Sequence, residues 1–271
     1  MTQVVRLWCK KLIDQKIPRQ ARNDTFVIYI NVSMKKSDIH FVFEELSKRY
    51  AGSTTELIYD TPFQLLVSVI MSAQTTDKQV NKVTAKFFDT IKWPKDILKL
   101  KPEKWESMIQ WVNYYKTKAK NIYKMAEMLV ASSRDISEGS RQTTSVPWDS
   151  SLRSEWREKL WYRIPDTQEE LVKLPWVWEK TAKVILQVLY WHDVIAVDTH
   201  VHRVTNRLWI VKTKEPLQTS KILEAKVPLE FRWDAHHGLI LFGRYHCVAR
   251  NPKCETCPFN KICEWYKKNK K

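Results

Sequence analysis

The sequence predicts an all-α protein, on three observations. Apolar residues recur at three- and four-residue steps, residues that favour helix starts precede those stretches, and alternating strand patterns are scarce. The first amphipathic stretch, MKKSDIHFVFEEL, begins at Met34. Asp77 reads as the N-cap of a helix over residues 78–91, where Val80, Val83, Phe87 and Ile91 share a face. Thr167-Gln-Glu-Glu170 has the T-x-x-E form of a capping box and opens a short helix ending near Leu174. A further helix is expected over 180–190, with Ala182, Ile185, Leu186 and Leu189 on one side. The best strand candidate, residues 26–32, lies before the helical pattern begins.

A length of 271 residues gives one or two domains with room for a real core. The net charge of +16 and pI near 9.6 point to a polyanionic partner, nucleic acid first, although a basic surface can serve solubility alone. There is no run of 18 apolar residues to span a membrane. Residues 1–33 carry no positive-then-apolar secretory pattern, which sets the expectation of a cytoplasmic protein.

Four of the five cysteines fall within residues 247–263: Cys247, Cys254, Cys257 and Cys263, spaced C-x6-C-x2-C-x5-C. Four thiolates from one compact loop suit a soft metal or an iron–sulfur cluster. Zinc is the main rival, but small zinc sites usually pair two C-x2-C knuckles and one is present here. A disulfide framework suits neither the length nor the clustering. A [4Fe–4S] cluster in a reducing compartment is the favoured reading.

The cysteine spacing resembles that of the endonuclease III family of DNA glycosylases, and so do motifs along the chain. Leu174-Pro-Trp-Val-Trp-Glu-Lys-Thr-Ala182 resembles the family's helix-hairpin-helix signature L-P-G-V-G-x-K-T-A. Val197-Asp-Thr-His200, Pro62-Phe-Gln-Leu-Leu66, Ser72-Ala-Gln-Thr-Thr-Asp77 and Tyr115-Lys-Thr-Lys-Ala-Lys-Asn-Ile122 resemble V-D-T-H, P-F-x-L-L, S-A-Q-x-T-D and Y-x-x-K-A-x-N-I. The resemblance implies a six-helix domain over 55–192 containing the hairpin. It implies an iron–sulfur domain from 38–54 and 193–271, with the active site between the two. Residues 1–37 then form an extension, non-native or disordered, with Met34 as the expected natural start. Residues 134–160, rich in serine and arginine, are expected to form a flexible surface insertion.

The same resemblance implies a bifunctional glycosylase and abasic-site lyase acting as a monomer on damaged duplex DNA in a bacterial-type cytoplasm, near the nucleoid. Lys180 would be the nucleophile, its amine kept neutral by desolvation or by neighbouring positive charge, with Lys183 a candidate source. Asp198 would stabilise the cationic sugar, and its local sequence also suits a helix N-cap. Adenine-specific relatives lack the lysine, so Lys180 favours the oxidised-pyrimidine type. Gln74 would enter the gap left by the flipped base. Tyr114 takes the place of a wedge leucine, where a partly buried core aromatic is an equal alternative. Arg250 and Lys253 would meet phosphates. The competing function is a non-catalytic iron–sulfur DNA-binding protein, or a monofunctional glycosylase of the same superfamily.

One departure stands out. The chain has 4 glycines and 13 tryptophans, against an average glycine use of roughly 7%. Trp176 and Trp178 occupy the hairpin's two glycine positions, Trp191 another family glycine, and Trp209 a frequent one. Indoles at 176 and 178 would keep the backbone from a phosphate or stack on bases, and a positive φ is expected at Trp178. UGA codons read as glycine in the source organism would explain the pattern.

Overall fold

A computed structural model describes residues 34–138 and 164–270. Residues 1–33 lie outside the described residues, and with them the strand candidate at 26–32 and most of the expected N-terminal extension. Among the described residues there are helices and turns and no strand.

Two hydrophobic cores organise these helices. The first is built by α2 (Pro62–Ser72), α3 (Asp77–Thr84), α4 (Pro94–Leu98), α5 (Pro102–Met108), α6 (Tyr115–Glu138), α7 (Gln168–Leu171) and α8 (Glu179–Tyr190). The helix α2 is its centre, with nine consecutive residues from Phe63 to Met71 buried. A helix hydrophobic all round must be enclosed by others, and α3, α6 and α8 pack around it. The second core joins α1 (Lys36–Arg49) to α9 (Thr199–Leu208), α10 (Pro216–Lys226), α11 (Arg232–Tyr245) and α12 (Glu264–Asn269). There α11 lies between α1 and α9.

Local capping fixes where the first core's helices begin. Thr61 caps α2 in a complete capping box with Gln64, and Pro62 occupies the first turn, where its missing N–H costs nothing. The Gln64 side chain is buried and fully used. Its Oε1 accepts from the backbone of Asp60 and Thr61, and its Nε2 donates to the carbonyls of Phe88 and Ile91. This box was legible as T-x-x-Q in the sequence and was missed.

Three expectations about elements are corrected. Thr76, not Asp77, caps α3, because the Asp77 carboxylate instead accepts from Arg244 at 2.9 Å. The helix expected over 78–91 ends at Thr84 and continues as turns; Val80 and Val83 are buried in the helix, Phe87 and Ile91 beyond it. The long helix α6 runs to Glu138, so residues 134–138 of the expected loop are helical; that stretch has no glycine or proline until Gly139. The rest of that loop, 139–160, lies outside the described residues. The Thr167 cap is present, its hydroxyl accepting from Glu170 N at 3.3 Å.

Candidate active site and cysteine loop

The hairpin is the turn between α7 and α8. Leu171, Leu174 and Val177 bury themselves in the first core, and Val177 N donates to Leu174 O at 3.1 Å, closing the turn. That closure puts Trp176 in the left-handed region at φ 65. Trp178 has φ −95 in the extended conformation usual for an N-cap, so the expected positive φ belongs to Trp176. Trp178 is 72% exposed.

Lys180 follows at the start of α8, facing solvent. Its amine is open to solvent. Lys183, one turn on, is not a free cation either. Its side chain is buried and donates to Ser220 Oγ at 2.7 Å and Glu224 Oε1 at 2.8 Å, with Glu179 at 3.5 Å. Its charge is balanced by carboxylates, so it does not supply the positive field expected of it.

Asp198 is the N-cap of α9. Its Oδ1 accepts from the backbone of His200 and Val201, both at 2.8 Å. Among the described residues no hydrogen bond reaches Oδ2, which leaves that oxygen available for chemistry. The segment leading into Asp198 is pinned on every side. Ile195 N donates to Glu224 Oε1 at 3.0 Å, Ser220 Oγ donates to Ile195 O at 2.7 Å, and His236 Nδ1 sits 2.7 Å from Ala196 O. His236 is buried, and burial with the neighbouring His237 pushes its pKa down to about 3. It is therefore neutral near pH 7, with its Nδ1–H donating to Ala196 O. This hydrogen bond fixes the backbone two residues before Asp198. Sequence reasoning missed His236, because nothing in its local spacing marks it.

Gln74 lies in the turn just past α2, and Tyr114 directly precedes α6. Both are exposed and both have left-handed φ, 57 and 58. Tyr114 at 63% exposed is not a core aromatic. Arg250 and Lys253 are also exposed, in the loop that carries the cysteines.

Cys247, Cys254, Cys257 and Cys263 are unpaired by disulfides and line one cavity of about 330 Å³, counted with the solvent at its mouth. Burial and the neighbouring thiols push Cys257 up to about 11, and Cys254 and Cys263 also rise. Four thiolates in such a pocket need positive charge to be stable, which iron would supply. His246 lines the same cavity, and its buried Nε2 has no hydrogen-bond partner among the described residues. A sulfide or thiolate sulfur would give it one. The donor set, the cavity and this orphaned nitrogen fit an iron–sulfur cluster.

Arg207 on α9 braces the loop. Its guanidinium donates to Val248 O at 2.8 Å and Ala249 O at 2.9 Å, approaches Cys247 Sγ at 3.5 Å, and stacks 4.5 Å over Trp265. Arg203 adds bonds to Gly243 O and Cys247 O.

Comparison with known proteins bears on this arrangement. Residues 67–229 match the family model for HhH-GPD superfamily base excision DNA repair proteins, and residues 247–263 that for the iron–sulfur binding domain of endonuclease III. The chain is 37% identical over 235 residues to endonuclease III of Bacillus subtilis, covering 86% of this chain and 95% of that protein. The chain belongs to the endonuclease III family. The endonuclease III of Escherichia coli K12 is 34% identical over 87% of this chain and 99% of its own length. Among solved structures, a trapped endonuclease III–DNA covalent intermediate superposes with a TM-score of 0.72 at 33% identity, covering 88% of this chain and all of that one. A thermostable thymine-DNA glycosylase, at 20% identity and a TM-score of 0.67, shares the fold. Family membership makes the cysteine loop an iron–sulfur site.

Replacing Cys257 by alanine should lower the bound iron and loosen residues 247–263, read as faster amide exchange or proteolysis there, with the 174–190 segment unchanged. Full iron content in Cys257→Ala would contradict the assignment of this thiol as a ligand.

Proposed function

We propose that this protein is a bifunctional DNA glycosylase and abasic-site lyase of base excision repair, removing oxidised pyrimidines from duplex DNA as a monomer in the cytoplasm. One observation carries the reading: in a chain similar to endonuclease III over 86% of its length, Lys180 opens the helix after the hairpin while Asp198 caps the next long helix with one carboxylate oxygen uncommitted.

The chemistry follows from those two groups. The neutral amine of Lys180 attacks the anomeric carbon of an extruded nucleotide, and the damaged base departs with the glycosidic electron pair. Asp198 stabilises the positive charge on the sugar as that bond breaks. The lysine–sugar adduct opens to a Schiff base, which acidifies the C2′ proton. Its removal expels the 3′ phosphate by β-elimination, and water then releases Lys180. A substrate sugar seated over the exposed amine would exclude water from it.

Gln74 and Tyr114 serve as the residues that enter the duplex, Trp176 and Trp178 present the hairpin to the DNA, and Arg250 and Lys253 contact the strand beyond. A [4Fe–4S] cluster on Cys247, Cys254, Cys257 and Cys263 would cross-link the loop that presents the last two. The indoles at the hairpin favour one second reading, a non-catalytic iron–sulfur DNA-binding protein whose phosphate contact has changed.

Borohydride reduction on a duplex carrying thymine glycol or an abasic site separates the readings. The expected result is a covalent adduct that disappears in Lys180→Gln, along with strand cleavage. Asp198→Asn should slow base release by roughly a hundredfold to a thousandfold, the range for losing one preorganised electrostatic partner. DNA binding with no adduct supports the second reading, and lyase activity surviving in Lys180→Gln would place the nucleophile elsewhere.

A further inference from the structure

Lys118 is a buried titratable group that the proposed chemistry does not use. It sits in the first turn of α6 with 0% of its surface exposed. Its Nζ donates to Met71 O at 2.8 Å and Ala73 O at 2.6 Å, and lies 3.4 Å from Thr75 Oγ1. These acceptors belong to the end of α2 and the turn beyond it, where helix carbonyls are otherwise unpaired and favour a cation. Burial pushes its pKa down to about 8, so it still carries its proton near neutral pH.

What Lys118 holds is the Gln74 turn. Asn113, exposed and adjacent to Tyr114, holds the same turn from the other side. Its Nδ2 donates to Gln74 O at 2.6 Å and its backbone N–H to Thr75 Oγ1 at 3.2 Å. Gln74 and Tyr114 thus stand on two left-handed turns tied together by the Lys118 ammonium and by the side-chain amide and backbone N–H of Asn113.

We propose that Lys118 and Asn113 are positioning residues that lock Gln74 and Tyr114 into one unit, so that both side chains enter the duplex together. The inference rests on the DNA-repair reading and deepens it. A pair held in register before binding has less ordering to do on the DNA.

The test uses the full chain and a duplex with a non-cleavable abasic analogue opposite 2-aminopurine, whose fluorescence reports insertion without any chemistry. Asn113→Ala changes an exposed side chain, and Lys118→Met keeps the length of the buried stem. Each should reduce the preference for the abasic over the intact duplex by about tenfold and blunt the fluorescence change. Trapping by borohydride on a single-stranded abasic oligonucleotide should stay within about twofold, since no duplex has to be entered. An unchanged duplex preference in Asn113→Ala overturns the proposal, as does an equal loss on both substrates, which would mean general damage. Absence of trapping by the wild type, with insertion still reported, would instead refute the lyase reading alone.

A different observation carries a second inference. Six residues other than glycine have positive φ among the described residues, and three of them are tryptophan: Trp176, Trp191 and Trp209. A bulky side chain is disfavoured there, and glycine is the residue such positions select. Trp191 and Trp209 both end helices in the left-handed conformation, α8 and α9 respectively. After Trp209 the bond from Ile210 N to Thr205 O, 3.0 Å, closes the helix in the manner that favours glycine at the left-handed position. Trp176 closes the hairpin turn. We infer that the natural polypeptide carries glycine at 176, 191 and 209, the codons being UGA read as glycine in the cell of origin. Sequencing the gene and weighing the protein from its own cells decides the matter. UGA at all three codons, with a mass lower by one tryptophan-to-glycine difference at each, is expected; UGG at any of them overturns the inference.

Discussion

The buried ammonium of Lys183 fixes the geometry on which the site depends. Lys180 rides on α8, whose buried face belongs to one hydrophobic core, while Asp198 caps α9 in the other. Lys183 reaches from α8 to Ser220 and Glu224 on α10, and these two side chains also take up the N–H and the C=O of Ile195. A shift of α8 relative to α10 would therefore break bonds that define the approach to Asp198. Buried ion pairs add little net stability once desolvation is counted, but removing one partner is severe. Register is the more natural role for this one. Arg244 adds a second tie between the cores, pairing with Asp77 on α3 and with Glu56, to which Tyr245 also donates.

The helix α9 extends that constraint to the cysteine loop. Its ten residues carry Asp198 at the N-cap and Arg207 in the last turn, with Arg203 between. The two guanidiniums hold the backbone of Gly243, Cys247, Val248 and Ala249. These bonds join the cysteine loop to the helix whose other end presents the Asp198 carboxylate.

Much of this was legible in the sequence, and the limits have physical causes. Resemblance to a family motif identified the hairpin, and short local patterns the Thr167 cap, the four clustered cysteines and the capping sequence at Asp198, because each depends on residues a few positions apart. The partners of Lys183 lie 37 and 41 residues away and those of Lys118 more than 40, so no local spacing records them. The same distance hid Arg244, which drew Asp77 out of its expected capping role and left that role to Thr76. At the hairpin, glycine positions were readable as such, but which one needs a left-handed backbone depends on the bond from Val177 to Leu174.

The most direct measurement is a double-mutant cycle on Lys183→Met and Glu224→Gln, following the single-turnover rate of borohydride-trapped adduct formation with fully folded protein. If the pair sets the register of Lys180 and Asp198, either single change slows trapping and the double variant is no slower than the worse single. The coupling should be on the order of 1–3 kcal/mol, as expected for residues sharing one network. Folded single variants that trap at the wild-type rate, or effects that simply add, would contradict it.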